Sequence, residues 1–151
     1  DHRDLHLSIR RQRQMCIRDR IKSVLILDAW LNPLPKNIIY NGLDQPILYM
    51  GRPNWDDSDY PSNNTLVDTL MNNTRGPKYH ITIKETRHLN YCDAPLFSPL
   101  VKHILEVGDM NRQESVNLIN QFSLEFFDQY LRQEKSKILN SLELYPNITV
   151  H

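Results

Sequence analysis

Hydrophobic residues fall along the chain in short runs that predict three strands. Residues 24–27 (VLIL) and 47–50 (ILYM) are continuously apolar, a pattern typical of strands buried on both faces of a parallel sheet. Residues 79–84 (YHITIK) alternate between apolar and polar side chains, which predicts a strand with one face against the core. Proline-rich or polar segments, such as 32–37 (NPLPKN), separate the runs as loops.

Apolar residues at helical spacing predict three helices. The first covers residues 65–73, with Asn63 or Asn64 as its N-cap. The second covers 100–108 and ends at its terminal glycine, and the third covers 112–133. The inward positions are Leu66, Val67 and Leu70 in the first helix and Val116, Ile119, Phe122, Phe126 and Tyr130 in the third.

The order of these elements predicts the closing part of an α/β domain. The predicted order is strand, loop, strand, helix, strand, loop and two helices. This order is typical of a mostly parallel, doubly wound sheet with flanking helices. Because the fold begins directly with a strand, we expect residues 21–135 to be the C-terminal portion of a domain that extends further upstream in the gene product. Residues 136–151 are polar and are expected to form a loose tail.

The first twenty residues are rich in arginine and read as a sequence of artificial origin. Residues 1–6 (DHRDLH) and 10–20 (RRQRQMCIRDR) resemble in-frame translations of a flow-cell primer and a transposase sequencing adapter, with a gap between them of the size that such libraries carry. The alternatives are a basic arm that binds nucleic acid and a transit peptide, against which three aspartates argue. We assign residues 1–20 to an adapter-derived artefact outside the fold.

Setting this segment aside changes the charge and the cysteine count. It holds six of the 18 basic residues and three of the 18 acidic ones, so the remainder has 12 basic and 15 acidic residues. A mildly acidic domain gives no electrostatic case for nucleic-acid binding. Cys92 is then the single cysteine, which excludes an intrachain disulfide and a cysteine-based metal site. No apolar run is long enough to predict a transmembrane segment.

Two ionisable residues follow predicted strands, where open α/β sheets gather catalytic groups. Asp28 comes directly after the first strand, and His88 comes a few residues after the third. An acid followed by a histidine fits two members of a Ser-Asp-His triad, in which the acid orients the imidazole and the imidazole takes the serine proton. Spacing alone leaves open two simpler interpretations, a turn-capping aspartate and an exposed loop histidine.

Three segments resemble the platelet-activating-factor acetylhydrolase family: 27–35 (LDAWLNPLP), 45–55 (QPILYMGRPNW) and 87–100 (RHLNYCDAPLFSPL). In that family the triad acid lies in an L-D-A-W motif and the triad histidine in an H-x-N-aromatic-x-D motif. Asp28 and Trp30 match the first motif, and His88, Asn90 and Asp93 match the second. The resemblance implies an α/β-hydrolase fold with Asp28 and His88 as catalytic residues, and it implies no cofactor and no metal.

The resemblance also implies a function. Members of the family are calcium-independent serine esterases of phospholipase A2 type, which hydrolyse the sn-2 acetyl or short acyl ester of platelet-activating factor and related phospholipids. The nucleophile of such enzymes lies in G-x-S-x-G, and no two of the glycines at 42, 51, 76 and 108 are four positions apart. We therefore expect the serine and the oxyanion hole upstream of this chain, and we expect the chain alone to be inactive.

Two other functions remain open from the sequence. One is a different α/β hydrolase, of the dienelactone hydrolase or acyl-peptidase kind, which would share the triad and differ in its pocket. The other is a non-catalytic pseudo-hydrolase, for which a replaced elbow serine in the complete gene product would be the sign. Sequons at Asn63, Asn72 and Asn147 favour a secreted, glycosylated protein, although the family has both secreted and intracellular members.

Each of the residues near Asp28 and His88 in the sequence has a structural and a functional interpretation. We interpret Trp30 as packing beside the site, with a place in the acyl pocket as the alternative. Asp93 is interpreted as capping the loop that carries His88, with a backup triad acid as the alternative. Residues 95–105 (PLFSPLVKHIL) are interpreted as core, with a surface for phospholipid membranes or lipoprotein as the alternative.

Overall fold

A four-stranded sheet forms the centre of the protein. The computed structural model describes residues 20–97, 100, 104–136 and 139–151. Its strands are β1 (Val24–Leu27), β2 (Ile47–Gly51), β3 (Lys78–Ile83) and β4 (Ile148–Val150), and they lie in the order β1-β2-β3-β4. The first three strands are parallel, and β4 is antiparallel to β3. The carboxyl ends of β1, β2 and β3 therefore lie along one edge of the sheet.

Helices connect the strands and cover both faces of the sheet. They are α1 (Lys36–Asn41), α2 (Asn63–Asn73), α3 (Ala94–Phe97) and α4 (Arg112–Leu131), with 3-10 turns at His88–Tyr91 and Leu142–Leu144. Asn111 caps α4, because its side-chain oxygen accepts hydrogen bonds from the backbone N–H groups of Gln113 and Glu114. Within the part of the chain that the structure describes, none of the helices combines the length and the apolar character that a membrane span requires.

The sheet has an apolar core on each face. Leu48 and Met50 of β2 belong to one core, together with Phe122 and Phe126 of α4. Ile47 and Tyr49 of the same strand belong to the other, with residues of α1 and α2. All five residues of β2 are buried, whereas the four of β1 are half-buried. The predicted burial on both faces is thus confirmed for β2, while β1 lies at an edge of the described sheet.

The longest predicted helix agrees closely with the structure. The apolar spacing predicts residues 112–133, and α4 covers Arg112–Leu131. Ile119, Phe122 and Phe126 are buried against the sheet. Val116 and Tyr130, at the two ends of the stripe, are half-buried. The helical period of the apolar residues therefore identified the face that packs on the core.

Three helical segments differ from the prediction, among them the four-residue α3, which the sequence does not predict. The sequence does not predict α1, because six residues hold too few turns to give an apolar period. For the helix predicted over 100–108, positions 101–103 lie outside the described residues and 104–108 are not helical. Gly108 does not end a helix there; a Cβ at this position would collide with the carbonyl group of Glu85, so the two backbone segments can meet only at a glycine.

The C-terminal residues are not the loose tail that their polar composition predicts. β4 pairs with β3 in the register Ile81–Val150, Thr82–Thr149 and Ile83–Ile148. Leu139, Leu142 and Ile148 are buried in the same core as Phe122. These apolar residues follow neither a helical nor a strand period, which is why the sequence pattern gives no sign of them. The segment predicted as an adapter lies outside the described residues apart from Arg20.

His80 occupies a largely buried position on β3. Its side chain is 12% exposed, its ring stacks on that of His151 with centroids 4.4 Å apart, and it meets Tyr49 edge-on at 5.2 Å. Burial, with the nearby His151 as a further cause, lowers the pKa of His80 from 6.5 to about 4, and Asp68 opposes this shift. The folded protein therefore resists protonation of His80 where the unfolded chain accepts it.

We expect this difference to weaken the fold in mild acid. Between pH 6.5 and pH 4 the unfolded chain binds a proton at His80 that the folded protein does not bind, so stability falls as the pH falls. At pH 5 the loss amounts to about 2 kcal/mol. In His80→Gln, urea denaturation should show a free energy of unfolding that falls correspondingly less between pH 7.5 and pH 5. An unchanged pH dependence in the variant would contradict this expectation.

Candidate active site

Asp28 lies at the carboxyl end of β1 with its carboxylate fully buried. Its backbone N–H donates to the carbonyl of Met50 at 2.7 Å, which continues the pairing of β1 with β2 by one residue. Asp28 has a φ of 42°, a left-handed conformation that the short polar side chain of aspartate tolerates better than most side chains do. The chain thus turns sharply at the strand end, and the carboxylate is held inside the fold.

Three donors surround this carboxylate. Oδ1 accepts the backbone N–H of Arg52 at 2.9 Å. Oδ2 accepts from Nε of the Arg52 side chain at 3.1 Å and lies 2.9 Å from Nδ1 of His88. Gly51 makes this approach possible, because a Cβ there would stand 3.0 Å from Oδ1 and 2.6 Å from Cε1 of Tyr49. A buried carboxylate is costly unless it is paired and hydrogen-bonded, and these donors meet that requirement.

A short loop after β3 presents His88 to Asp28. His88 begins the 3-10 turn His88–Tyr91, and the buried side chain of Asn90 holds the turn in place. Its Oδ1 accepts the backbone N–H of Arg87 and that of Gly108, both at 2.8 Å. The His88 side chain is 45% exposed. Because Nδ1 faces Asp28, Nε2 is the ring nitrogen that could take a proton from a nucleophile.

The structure brings together residues that the sequence did not single out. Nη1 of Arg52 donates to Glu106 at 2.9 Å, and the guanidinium lies 4.0 Å from the centre of the Trp55 ring, a cation–π contact. The Trp55 ring is in turn 5.7 Å from that of His88. One signal was available for Arg52, since it follows β2 directly and so lies at the same sheet edge as Asp28.

A cleft of about 350 Å³ opens beside His88. Its lining includes Trp30, Trp55, Tyr60, Arg87, His88 and Glu106. Trp30 is 41% exposed and packs against Tyr60 with ring centroids 4.3 Å apart. This tryptophan therefore forms part of the cleft wall.

Asp93 lies away from this cleft. It is exposed and borders a separate hollow with Leu27, Tyr91 and Ile119. Its backbone carbonyl accepts the N–H of Leu96 at 2.9 Å at the start of α3. Of the five residues predicted at the site, the structure thus places Asp28 and His88 in contact, Asn90 beneath the His88 turn, Trp30 on the cleft wall and Asp93 elsewhere.

Comparison with protein families gives one match over most of the chain. The family described as platelet-activating factor acetylhydrolase, isoform II, matches residues 12–144. The chain belongs to this family. The match includes residues 12–20, and the origin that we assign to that segment stays a prediction. Among curated protein sequences, none matches the chain.

A solved structure shares the fold of this acetylhydrolase-family chain. A ferulic acid esterase from Streptomyces cinnamoneus superposes with a TM-score of 0.66 at 20% sequence identity over 87% of the chain. The predicted α/β-hydrolase type of fold is thereby confirmed, in the form of a partial, mixed sheet with flanking helices. The match covers 40% of the esterase structure, so the chain spans less than half of that protein's length.

Asn63 ties α2 to the loop that follows Asp28. Its side chain is fully buried; Oδ1 accepts the backbone N–H of Leu31 at 2.8 Å, and Nδ2 donates to the carbonyl of Ala29 at 3.1 Å. The residue therefore does not act as the N-cap we predicted, and Ser62 precedes the helix instead. With its amide buried and bonded, the sequon at Asn63 cannot carry a glycan in the folded protein.

Replacing this amide should destabilise the fold. In Asn63→Ala the buried N–H of Leu31 loses its acceptor, and such an orphaned group costs about 1–3 kcal/mol. Asn72→Ala is a matched control, because Asn72 lies on the same helix with its side chain exposed, and its effect should stay within about 0.5 kcal/mol. Chemical denaturation of both variants measures the difference; equal stabilities would show that the amide does not hold the loop.

Proposed function

We propose that this chain supplies the acid and the base of a calcium-independent serine esterase. The observation that carries the proposal is the 2.9 Å contact between Oδ2 of Asp28, directly after β1, and Nδ1 of His88, in the loop after β3. In a chain of the acetylhydrolase family, this contact fits the acid–histidine half of a Ser-Asp-His triad. The substrate we propose is the sn-2 acetyl or short acyl ester of platelet-activating factor and related phospholipids.

The reaction would proceed in two halves. A serine supplied by an upstream part of the gene product transfers its proton to Nε2 of His88 while its Oγ attacks the sn-2 carbonyl carbon. The protonated imidazole then gives that proton to the leaving lysophospholipid oxygen, and an acyl-serine remains. A water molecule, deprotonated by His88, attacks the acyl group, and the proton returns to the serine as the short acid leaves. Asp28 keeps Nδ1 protonated and oriented throughout.

An exposed apolar surface supports a lipid as the substrate. Its described members are Leu96, Phe97, Leu100, Ile104 and Leu105, each between 44% and 80% exposed. They belong to the segment between the His88 turn and α4, so they lie close to the site in the sequence. Large apolar side chains exposed together favour association with a membrane or another apolar partner. We therefore propose that this surface contacts phospholipid membranes or lipoprotein.

Loss of either triad residue should abolish activity. In the complete gene product, His88→Gln and Asp28→Asn should each lower kcat about 10³- to 10⁴-fold or more, measured as release of acetate from a 1-alkyl-2-acetyl-glycerophosphocholine. Asp93→Asn, which alters a carboxylate of the same motif outside the cleft, should change kcat less than about threefold. A large loss of activity in Asp93→Asn, with activity retained in Asp28→Asn, would show that Asp28 is not the triad acid.

The apolar surface makes a separate prediction about substrate form. Ile104→Ser combined with Leu105→Ser should reduce hydrolysis of the phospholipid in vesicles about tenfold or more, because burial of two such side chains contributes about 3 kcal/mol. Hydrolysis of a soluble acetate ester should be unchanged. Leu124→Ser serves as control, since Leu124 is 60% exposed on α4. Equal activity on vesicles in all three proteins would favour an esterase of soluble substrates.

A further inference from the structure

We propose that Arg52 and Glu106 are a positioning pair, which sets how strongly Asp28 stabilises the protonated form of His88. The inference rests on the proposed function, because it assigns a role to two residues behind the acid of the triad. Neither residue is needed as a proton donor or acceptor in the reaction, and each would act through Asp28. The geometry that carries the proposal is the sharing of one carboxylate oxygen between an arginine and the histidine.

Arg52 is fixed on several sides against Asp28. The residue is 8% exposed. Its backbone N–H and its Nε both donate to the carboxylate, one to each oxygen. The opposite end of the guanidinium donates to Glu106, and its face lies on Trp55. A planar guanidinium can bond two carboxylates in fixed directions through different nitrogens, which a lysine ammonium cannot do. Arg52 thereby directs Oδ2 toward His88.

The same contact limits the charge that Asp28 offers to His88. Oδ2 interacts with Nε of Arg52 at 3.1 Å and with Nδ1 of His88 at 2.9 Å. A permanent cation beside the acid opposes a second cation on the imidazole. Glu106 counteracts this, because its carboxylate, 45% exposed, neutralises part of the Arg52 charge. The two residues should therefore influence protonation of His88 in opposite directions.

Other charged groups line the same cleft as the ring and stay constant in the comparison. Asp57 and Asp59 in the loop after β2 line the same cleft, as does Arg87 directly before the histidine. Because these groups are present in every variant, a difference between variants reports on the pair alone. A general loss of structure would not shift the titration of His88 in opposite directions in the two variants.

The test is a titration of the His88 ring in the complete gene product, labelled at histidine Cε1 and followed by NMR, with His88→Gln to assign the signal. Arg52→Gln should raise the pH at which the ring titrates by about one unit, and Glu106→Gln should lower it by a similar amount. The acid limb of the pH profile of kcat/KM should shift in the same direction as the titration of the ring. The double variant, which removes both charges, should titrate close to the wild type.

Arg52→Lys separates charge from geometry. Because the charge is kept, the ring should titrate within a few tenths of a pH unit of the wild type. The kcat should fall about tenfold, because the fixed directions of the guanidinium bonds to Asp28 and Glu106 are lost. Glu106 is half-exposed, so Glu106→Gln gives a folded variant even if the Arg52 variants do not fold. Shifts of the same sign, or no shift in Glu106→Gln, would overturn the proposal. Opposite shifts in a protein without esterase activity would support the pair and refute the proposed function.

Discussion

The pairing of the buried Asp28 carboxylate is the interaction on which the rest of the site depends. A carboxylate with no solvent exposure can stay charged only if donors replace the water it has lost. Here the donors come from two directions, a strand-end arginine and a loop histidine. The site is therefore not an acid to which a histidine has been added. It is one charge shared by two partners, and the position of each is set by the other.

The parallel sheet makes this sharing possible. β1 and β2 end at the same edge, and Gly51 lets their last residues approach until a backbone N–H reaches the carboxylate. The loop after β3 brings the imidazole to the same place, and Asn90 and Gly108 keep that loop close to its neighbours. Residues far apart in the sequence thus meet because three strands run in one direction, which is the general property of such sheets.

Much of the fold could be predicted from local patterns, while the site could be predicted only in part. The runs at 24–27 and 47–50 and the stripe on α4 follow directly from strand and helix periods. The proximity of Asp28 to His88 follows from their places after strands. Arg52 also follows a strand directly, so its place at this edge was open to the same reasoning. Glu106 and Asn63 could not be assigned in this way, because neither follows a strand and their roles depend on contacts across 54 and 32 residues of chain. The buried C-terminal segment could not be predicted either, because its apolar residues follow neither a helical nor a strand period.

The exposed contact between Trp30 and Tyr60 has a consequence for how such a protein can diversify. These rings form a wall of the cleft without any bond to the Asp28 carboxylate among the contacts described for it. Evolution can therefore exchange them to suit new substrates while the charged centre stays intact. Laboratory selection for altered substrate choice would do best to randomise this wall and to leave position 51, where any side chain collides, untouched.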